Sequence, residues 1–370
     1  MNILFIGPYR QSDEYGLNAH DYINCLSKLQ NHTLSSVPIY MAHNIDNNVS
    51  QEILNIENTY CDKFDVIIQN VLPNYFERHD GYNIGIYYSE TKNLNRSFFI
   101  NKINLLNELW VSSDSEKYHL TKSGVTIKIS VIPIPLDTES LDQYVDVDPL
   151  EIPGIQSTFN FYMLADYIER KNIEAAVIAF NREFSHEKNT VNFIIKTGIN
   201  GLNNQQSQTE ITKDILQMKT KLRLYNQVHL YSNEILITNI LNRQQIMSLH
   251  KTGNCLLVPS RGEAYCRPAL EALYFNNTVI CTDKIHTCSI LKNNCIRVKS
   301  MEVPVMVDRP PAPHIYTGWE TWNEISILDL QKQMRLVFNN RRSNNTRDWV
   351  KNNFSYQAMS KKIEEQLCQL

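Results

Sequence analysis

No basic region followed by a long apolar run opens this 370-residue chain, so neither a secretory leader nor a membrane-spanning helix is expected, the latter needing about 20 apolar residues. Cysteine occurs eight times but never as Cys-x-x-Cys, which points to reduced thiols in a cytoplasmic setting. Cys281, Cys288 and Cys295 recur with His286 among them, yet without tight ligand pairs the spacing favours buried or incidental thiols over zinc. The first candidate strand-to-helix turn, Gly7-Pro-Tyr-Arg-Gln-Ser-Asp-Glu-Tyr-Gly16, has no GxGxxG pattern, and this weighs against a dinucleotide enzyme. There is also no convincing Asp-x-Asp constellation for a metal.

What is present describes a globular chain longer than one core usually serves, so two domains are expected. Its hydrophobic content of 42% and charged content of 20% argue against long disorder. The charge is divided. Residues 1–150 hold 10 Lys and Arg against 19 Asp and Glu, whereas residues 151–370 hold 26 against 20. A basic second half suits an anionic ligand, and an acidic first half disfavours nucleic acid or an anionic membrane surface as partner.

Short apolar runs alternate with amphipathic segments in both halves. Ile3 to Ile6, Val66 to Val71, Ile84 to Tyr88, Leu109 to Ser112 and Ile129 to Ile132 read as strands, with a helix over Gly16 to Leu29 and a capping-box start at Ser113 and Glu116. The second half restarts with Phe159 to Leu164, Phe193 to Lys196, Val228 to Tyr231, Cys255 to Val258, Val279 to Thr282 and Ile296 to Val298. This order predicts an α/β protein of parallel sheets with helices on both faces. Leu136 to Ser157, acidic and with two prolines, reads as a linker, and Asn200 to Gln208 as a solvated loop. Ligands of such sheets collect beyond the carboxyl ends of the strands, so a cleft between the two domains is expected to hold the chemistry.

The most informative stretch is Val258-Pro-Ser-Arg-Gly-Glu-Ala-Tyr-Cys-Arg-Pro-Ala-Leu-Glu271. The strand ending at Val258 enters a turn with Gly262, and Pro268 stands where a helix begins, its fixed φ suiting that place and its missing N–H not being needed. Free backbone N–H groups then cluster over Cys266 to Ala269, a site for a large anion such as a diphosphate. Glu263 precedes this point and Glu271 follows it by about a turn. Each can accept hydrogen bonds from sugar hydroxyls, so together they can bracket a molecule built as sugar, diphosphate and ribose. The same spacing also fits an exposed loop carboxylate and a helix-favouring Glu in a first turn.

Glu263 and Glu271, with seven residues between them, resemble the Glu-x7-Glu motif of retaining glycosyltransferases of the GT-B fold, most of all glycosyltransferase family 4. The resemblance extends to the opening strand and loop, Met1 to Tyr9, to Trp110 to Asp137, to Phe161 to Phe180 and to Tyr316 to Met334. It implies two facing Rossmann-like domains: an acceptor-side domain over 1–140 completed by a helix over 355–370, a linker over 141–157, and a donor domain over 158–354. It also implies a cytoplasmic transferase that moves a sugar from a nucleotide-diphosphate sugar to a glycan or other hydroxyl acceptor. The donor's anomeric configuration is kept, and neither cofactor nor metal is required. A GT-B-like protein that only binds nucleotide sugars, or an epimerase of the same fold, is the alternative.

The resemblance assigns residues as well. Glu263 would hold the transferred sugar near the reacting carbon, and Glu271 the ribose. Lys171 matches the lysine of the family's Gly-Arg-x4-Lys-Gly passage, but Ala165 and Asp166 replace the usual Gly and Arg, and Asn172 the second Gly. A bidentate phosphate partner is thereby lost. Arg267 is the expected replacement, against the alternative of a salt-bridge residue, with Arg261 and Lys196 as weaker candidates. Gly262, Cys266 and Pro268 shape the donor loop, Tyr265 lines the sugar pocket by its position, and Gly16 lets the first loop approach the donor or is a simple turn glycine. Glu90, in Tyr87-Tyr-Ser-Glu-Thr91 after a strand, is the active-site candidate of the first half, against the reading of a solvated loop residue.

Overall fold

The computed structural model describes residues 1–41, 49–155, 159–185, 187, 190–222, 234–307, 316–341 and 345–370. The chain forms two compact units. The first comprises Met1–Glu139, Pro304–Thr321 and Lys351–Leu370, and the second Ser140–Val303 and Trp322–Val350.

The first unit is built on a six-stranded sheet of β1 (Asn2–Gly7), β2 (Thr33–Pro38), β3 (Val66–Asn70), β4 (Tyr82–Ile86), β5 (Glu108–Val111) and β6 (Lys128–Val131). Their spatial order is β2-β1-β3-β4-β5-β6, and every pairing is parallel. Helices α1 (Glu14–Leu26), α2 (Gln51–Glu57), α3 (Phe99–Ile103), α4 (Asp114–Lys122) and α5 (Thr138–Asp142) fall between and after the strands. Strand β2, Thr-Leu-Ser-Ser-Val-Pro, escapes the sequence reading because its buried positions, Ser35 and Ser36, are polar. Their hydroxyls are satisfied by the Thr59 carbonyl and by Tyr9.

Helix α1 starts two residues before the expected Gly16. Asp13 caps it, its carboxylate accepting the Gly16 N–H at 2.8 Å. Gly16 therefore lies in the first turn of the helix, and its need for a bare Cα is local: a Cβ there would stand 2.1 Å from the Gln11 carbonyl oxygen, a backbone atom. Gly16→Ala is expected to lower stability by about 1–3 kcal/mol, since overpacking against backbone has no cheap relief. A denaturant midpoint unchanged from that of the original chain would refute this.

The second unit repeats the theme with β7 (Phe159–Leu164), β8 (Val191–Lys196), β9 (Glu234–Ile237), β10 (Cys255–Val258), β11 (Thr278–Thr282) and β12 (Ile296–Val298), ordered β12-β11-β10-β7-β8-β9 and all parallel. A small two-stranded sheet pairs β13 (Ser300–Pro304) with β14 (Thr321–Ile325). The helices are α6 (Ile173–Glu183), α7 (Asn204–Lys221), α8 (Arg243–Thr252), α9 (Arg267–Tyr274), α10 (His286–Leu291) and α11 (Ile327–Asn340), while α12 (Arg347–Phe354) starts in this unit and ends in the first. Phe161, Phe180, Phe184 and Phe193 are wholly buried and form a chain of ring contacts between the sheet and α6.

Two sequence expectations change here. Asn200 to Gln208 is not a solvated loop throughout, because Asn203 and Gln206 form a reciprocal capping box that starts α7. The expected strand over Val228 to Tyr231 lies outside the described residues, and β9 follows it at Glu234. Helix α13 (Tyr356–Leu367) is capped by Ser355 and buries Met359, Ile363 and Leu367 in the first unit. There Tyr356 donates to Asp21 at 2.5 Å and Gln366 to Glu108 at 2.8 Å.

Candidate functional site

In an open parallel sheet the strand order reverses direction at one point, and the loops leaving the carboxyl ends there part to opposite faces and open a crevice. In the second unit that point lies between β7 and β10. The loop after β7 ends in a 3-10 turn, Glu169–Lys171. The loop after β10 carries Ser260 to Cys266 into α9. The two loops that carry Lys171 and the Glu-x7-Glu carboxylates are thus brought to one crevice by topology alone.

Glu263 is buried and held by three groups. Lys171 Nζ lies 2.6 Å from its Oε1, Ser260 Oγ donates to the same oxygen at 2.9 Å, and Arg170 Nη1 is 3.2 Å from Oε2. Burial pushes this carboxyl up. The charges of Lys171 and Arg170 and the hydrogen bonds from Lys171 and Ser260 outweigh it, so the group lies below the usual carboxylate range. Its carbonyl oxygen accepts the Thr287 backbone N–H at 3.1 Å, which fastens the loop to the start of α10.

Arg170 was not singled out from the sequence. Its guanidinium also donates to the Gly262 carbonyl at 2.8 Å, so the Arg170–Lys171 pair grips both the loop and its carboxylate. Asn172 has a physical reason to stand where the resembling family has glycine. It adopts the left-handed conformation, φ 54° and ψ 44°, which Asn tolerates better than most side chains. Its amide donates to Glu324 at 3.0 Å. The same Glu324 accepts Arg261 Nε at 2.5 Å, and Arg261 also donates to the Glu169 carbonyl. Arg261 thus braces the loop through β14, and Lys196, at the end of β8, is half-buried beside Asp166.

Helix α9 begins at Arg267 behind Cys266, which provides no side-chain cap, and no acid occupies its first turn. Pro268 is its second residue. Tyr265 and Cys266 are buried in the approach to it. Glu271, a turn further on, is buried and bound by Arg243 Nη1 at 2.5 Å, with His250 Nε2 3.5 Å from its other oxygen. Burial raises this carboxyl, but Arg243, His250 and Arg267 overcome it and hold it at about 2. Arg267 therefore acts electrostatically on Glu271, while Arg170 and Lys171 face Glu263. Arg243 and His250 were also missed in sequence, where nothing marks α8 as part of the site.

Gly16 and Glu90 belong to the first unit. Glu90 is half-buried in the loop after β4, whose Ser89 N–H is bound by Glu116 Oε1 at 2.5 Å. Glu116 is the third residue of α4 in the Ser113 box: Ser113 Oγ accepts its N–H at 3.1 Å, but the Glu side chain turns to the Ser89 and Ser112 amides. Burial pushes Glu116 up to about 8 in spite of those two donors. The box residue is recruited to hold the Glu90 loop.

All eight thiols are free, with Cys288 and Cys295 sulfurs 3.9 Å apart. Among the described residues no cluster of His, Cys, Asp and Glu is arranged to hold a metal ion, and no helix is long and apolar enough to cross a membrane.

No protein-family model matches the chain, and no curated protein sequence does. Solved structures do. The sucrose-phosphate synthase of Thermosynechococcus elongatus is similar over 100% of this chain and 98% of its own, with a TM-score of 0.60 and 12% identity. Anabaena HepE, solved with UDP and glucose, matches over 100% of both chains with a TM-score of 0.63 and 12% identity. A glycosyltransferase of Rickettsia africae matches over 99% of this chain and 97% of its own, with a TM-score of 0.59 and 14% identity. With its two parallel six-stranded sheets and these end-to-end likenesses, the chain has the α/β architecture of GT-B glycosyltransferases.

Proposed function

We propose that this protein is a retaining glycosyltransferase that moves a sugar from a nucleotide-diphosphate sugar to a hydroxyl of a glycan or other acceptor. One observation carries the reading: at the strand-order reversal, Lys171 and Arg170 converge on buried Glu263 beside the uncapped start of α9, with buried Glu271 a turn beyond. A diphosphate placed there would meet both cations, and the amides at the helix end would supply hydrogen bonds.

In this reading Lys171 and Arg170 hold the diphosphate and stabilise it as the bond from the anomeric carbon to the phosphate oxygen breaks and negative charge builds on the leaving group. Arg267, on the Glu271 side, adds to the field. The acceptor oxygen bonds to the anomeric carbon on the face the phosphate leaves, and its proton passes to the departing phosphate. Glu263 orients the sugar hydroxyls and Glu271 the ribose. No metal is called for in this scheme, since protein cations take the charge-stabilising part. Glu90, Gly16 and Tyr265 are proposed as further contacts, with residues 1–140 and 355–370 serving the acceptor and 158–354 the donor. The HepE structure holds UDP and glucose, and an E. coli structure of the same fold, with a TM-score of 0.64, holds UDP-2-fluoro glucose, so uridine donors come first in any trial.

A melting screen against UDP-, GDP- and ADP-sugars tests this. A true donor near a hundred times its Kd is expected to raise the midpoint by about 5 °C or more. Slow release of the sugar, or its transfer with configuration kept as read by proton NMR of the product, would follow. A panel that neither shifts the midpoint nor is hydrolysed overturns the proposal.

A further inference from the structure

The donor-site carboxylate Glu271 is served by a second layer that its ligands would never touch. His250 of α8 is completely buried, its ring stacked on Phe275 at 5.8 Å and 7°. Its Nδ1 lies 2.8 Å from the hydroxyl of Tyr162 on β7, and Asn277 donates both to that hydroxyl at 2.9 Å and to the His250 carbonyl at 2.7 Å. Its Nε2 is buried without a hydrogen-bond partner and lies 3.5 Å from Glu271 Oε2, a distance of electrostatic contact and not of a formed hydrogen bond.

The proton positions follow from this chain. The Tyr162 oxygen receives the Asn277 N–H, so its own proton goes to His250 Nδ1. The imidazole proton is then on Nε2 and is presented to the carboxylate. The other tautomer would leave the phenol proton without an acceptor and set the Nε2 lone pair against a negative oxygen, both costly in a buried place.

The two partners of Glu271 differ in what a ligand can do to them. Arg243, whose side chain is 40% exposed, holds Oε1 from the solvent side. Ribose hydroxyls can take its place. His250, 0% exposed, cannot be displaced. We propose that His250 is a positioning residue for the nucleotide subsite: through the Asn277–Tyr162–His250 chain it keeps the Glu271 carboxylate aimed at ribose hydroxyls when Arg243 gives way. This rests on the reading of Glu271 as the ribose-gripping group.

The test is calorimetric titration of UDP, GDP and ADP, each against its 2′,3′-dideoxy form, on four chains: unchanged, His250→Phe, His250→Gln and Tyr162→Phe. Phenylalanine keeps the stack on Phe275 but has no N–H. It is expected to weaken the ribonucleotide about tenfold, as loss of a buried polar contact to a charged group does, and the dideoxy form less than twofold. Glutamine, whose amide N–H reaches the place of Nε2, recovers most of the loss. Tyr162→Phe, which releases the tautomer, gives a smaller loss in the same direction. A merely structural role for His250 predicts equal loss for both nucleotide forms, and that result, or no loss, overturns the inference. Should His250→Phe fail to fold, Tyr162→Phe and the glutamine variant decide by the same comparison. The reading of Glu271 fails separately: an unchanged protein that binds ribo and dideoxy forms alike, or binds none of the three, refutes it and the inference together. Discrimination lost in Glu271→Gln but kept in His250→Phe refutes the inference alone.

Discussion

Glu263→Gln is expected to lower turnover by about a thousandfold while the affinity for a nucleoside diphosphate holds or increases. The glutamine fills the same space and can still reach Ser260, but it removes the negative charge between Lys171 and Arg170. The ion pairs of Glu263 with Lys171 and Arg170 are lost. Losing one partner of a buried pair costs about 3–5 kcal/mol, so the unliganded variant should melt lower. A bound diphosphate returns the missing charge, so ligand should raise the variant's midpoint by more than it raises the original's. Calorimetric Kd, melting with and without UDP, and initial rates read the three parts. A variant that loses affinity and turnover in the same proportion would place Glu263 outside the sugar subsite.

The double replacement Arg170→Met with Lys171→Met is the converse experiment, and its expected effect is a loss of about a hundredfold or more in diphosphate affinity. It also inverts a pH dependence. In the unchanged protein Glu263 sits below its ordinary pKa of 4.5, so its contribution to stability is present above that value and fades as pH falls below it. Without the two cations, burial is the main influence left and the carboxyl rises. The folded state then binds the proton more tightly than the unfolded one, and stability declines as pH increases. The double variant should therefore unfold at lower urea at pH 8 than at pH 5, by an amount the original does not show. An unchanged difference between the two pH values would mean that the pair does not set the state of Glu263.

The parts of this molecule that were readable in sequence are those whose physics is local. Strand β10 falls where its apolar run predicted, because a run buried on both faces needs no partner to declare itself. The turn into α9 was legible from Gly262 and Pro268. Strand β2 was not, since Ser35 and Ser36 are buried by hydrogen bonds to residues far along the chain. The start of α7 was hidden inside a polar run whose capping value depends on a conformation, not on composition.

The same division governs the site. Glu263, Glu271 and Lys171 were marked by spacing and resemblance. Arg170 was passed over although it adjoins Lys171, because its partners, Gly262 and Glu263, come 92 and 93 positions later. Arg243 and His250 are 28 and 21 residues before Glu271 on a different helix. Only the strand order folds these distances away. Conversely, Asn172 in place of glycine looked like a lost motif and is a residue able to hold the same left-handed turn.

Helix α13 belongs to the first unit although the polypeptide leaves that unit at Glu139 and returns at Lys351, apart from Pro304–Thr321. During synthesis the amino-terminal sheet therefore waits on the ribosome with the α1 surface and Asp21 uncovered, until the entire second unit has emerged. The second unit, whose own sheet is complete by Val298, can close first. Order of birth and order of maturation run opposite ways, and a nascent chain halted near Val350 would expose to chaperones the very half that was made earliest.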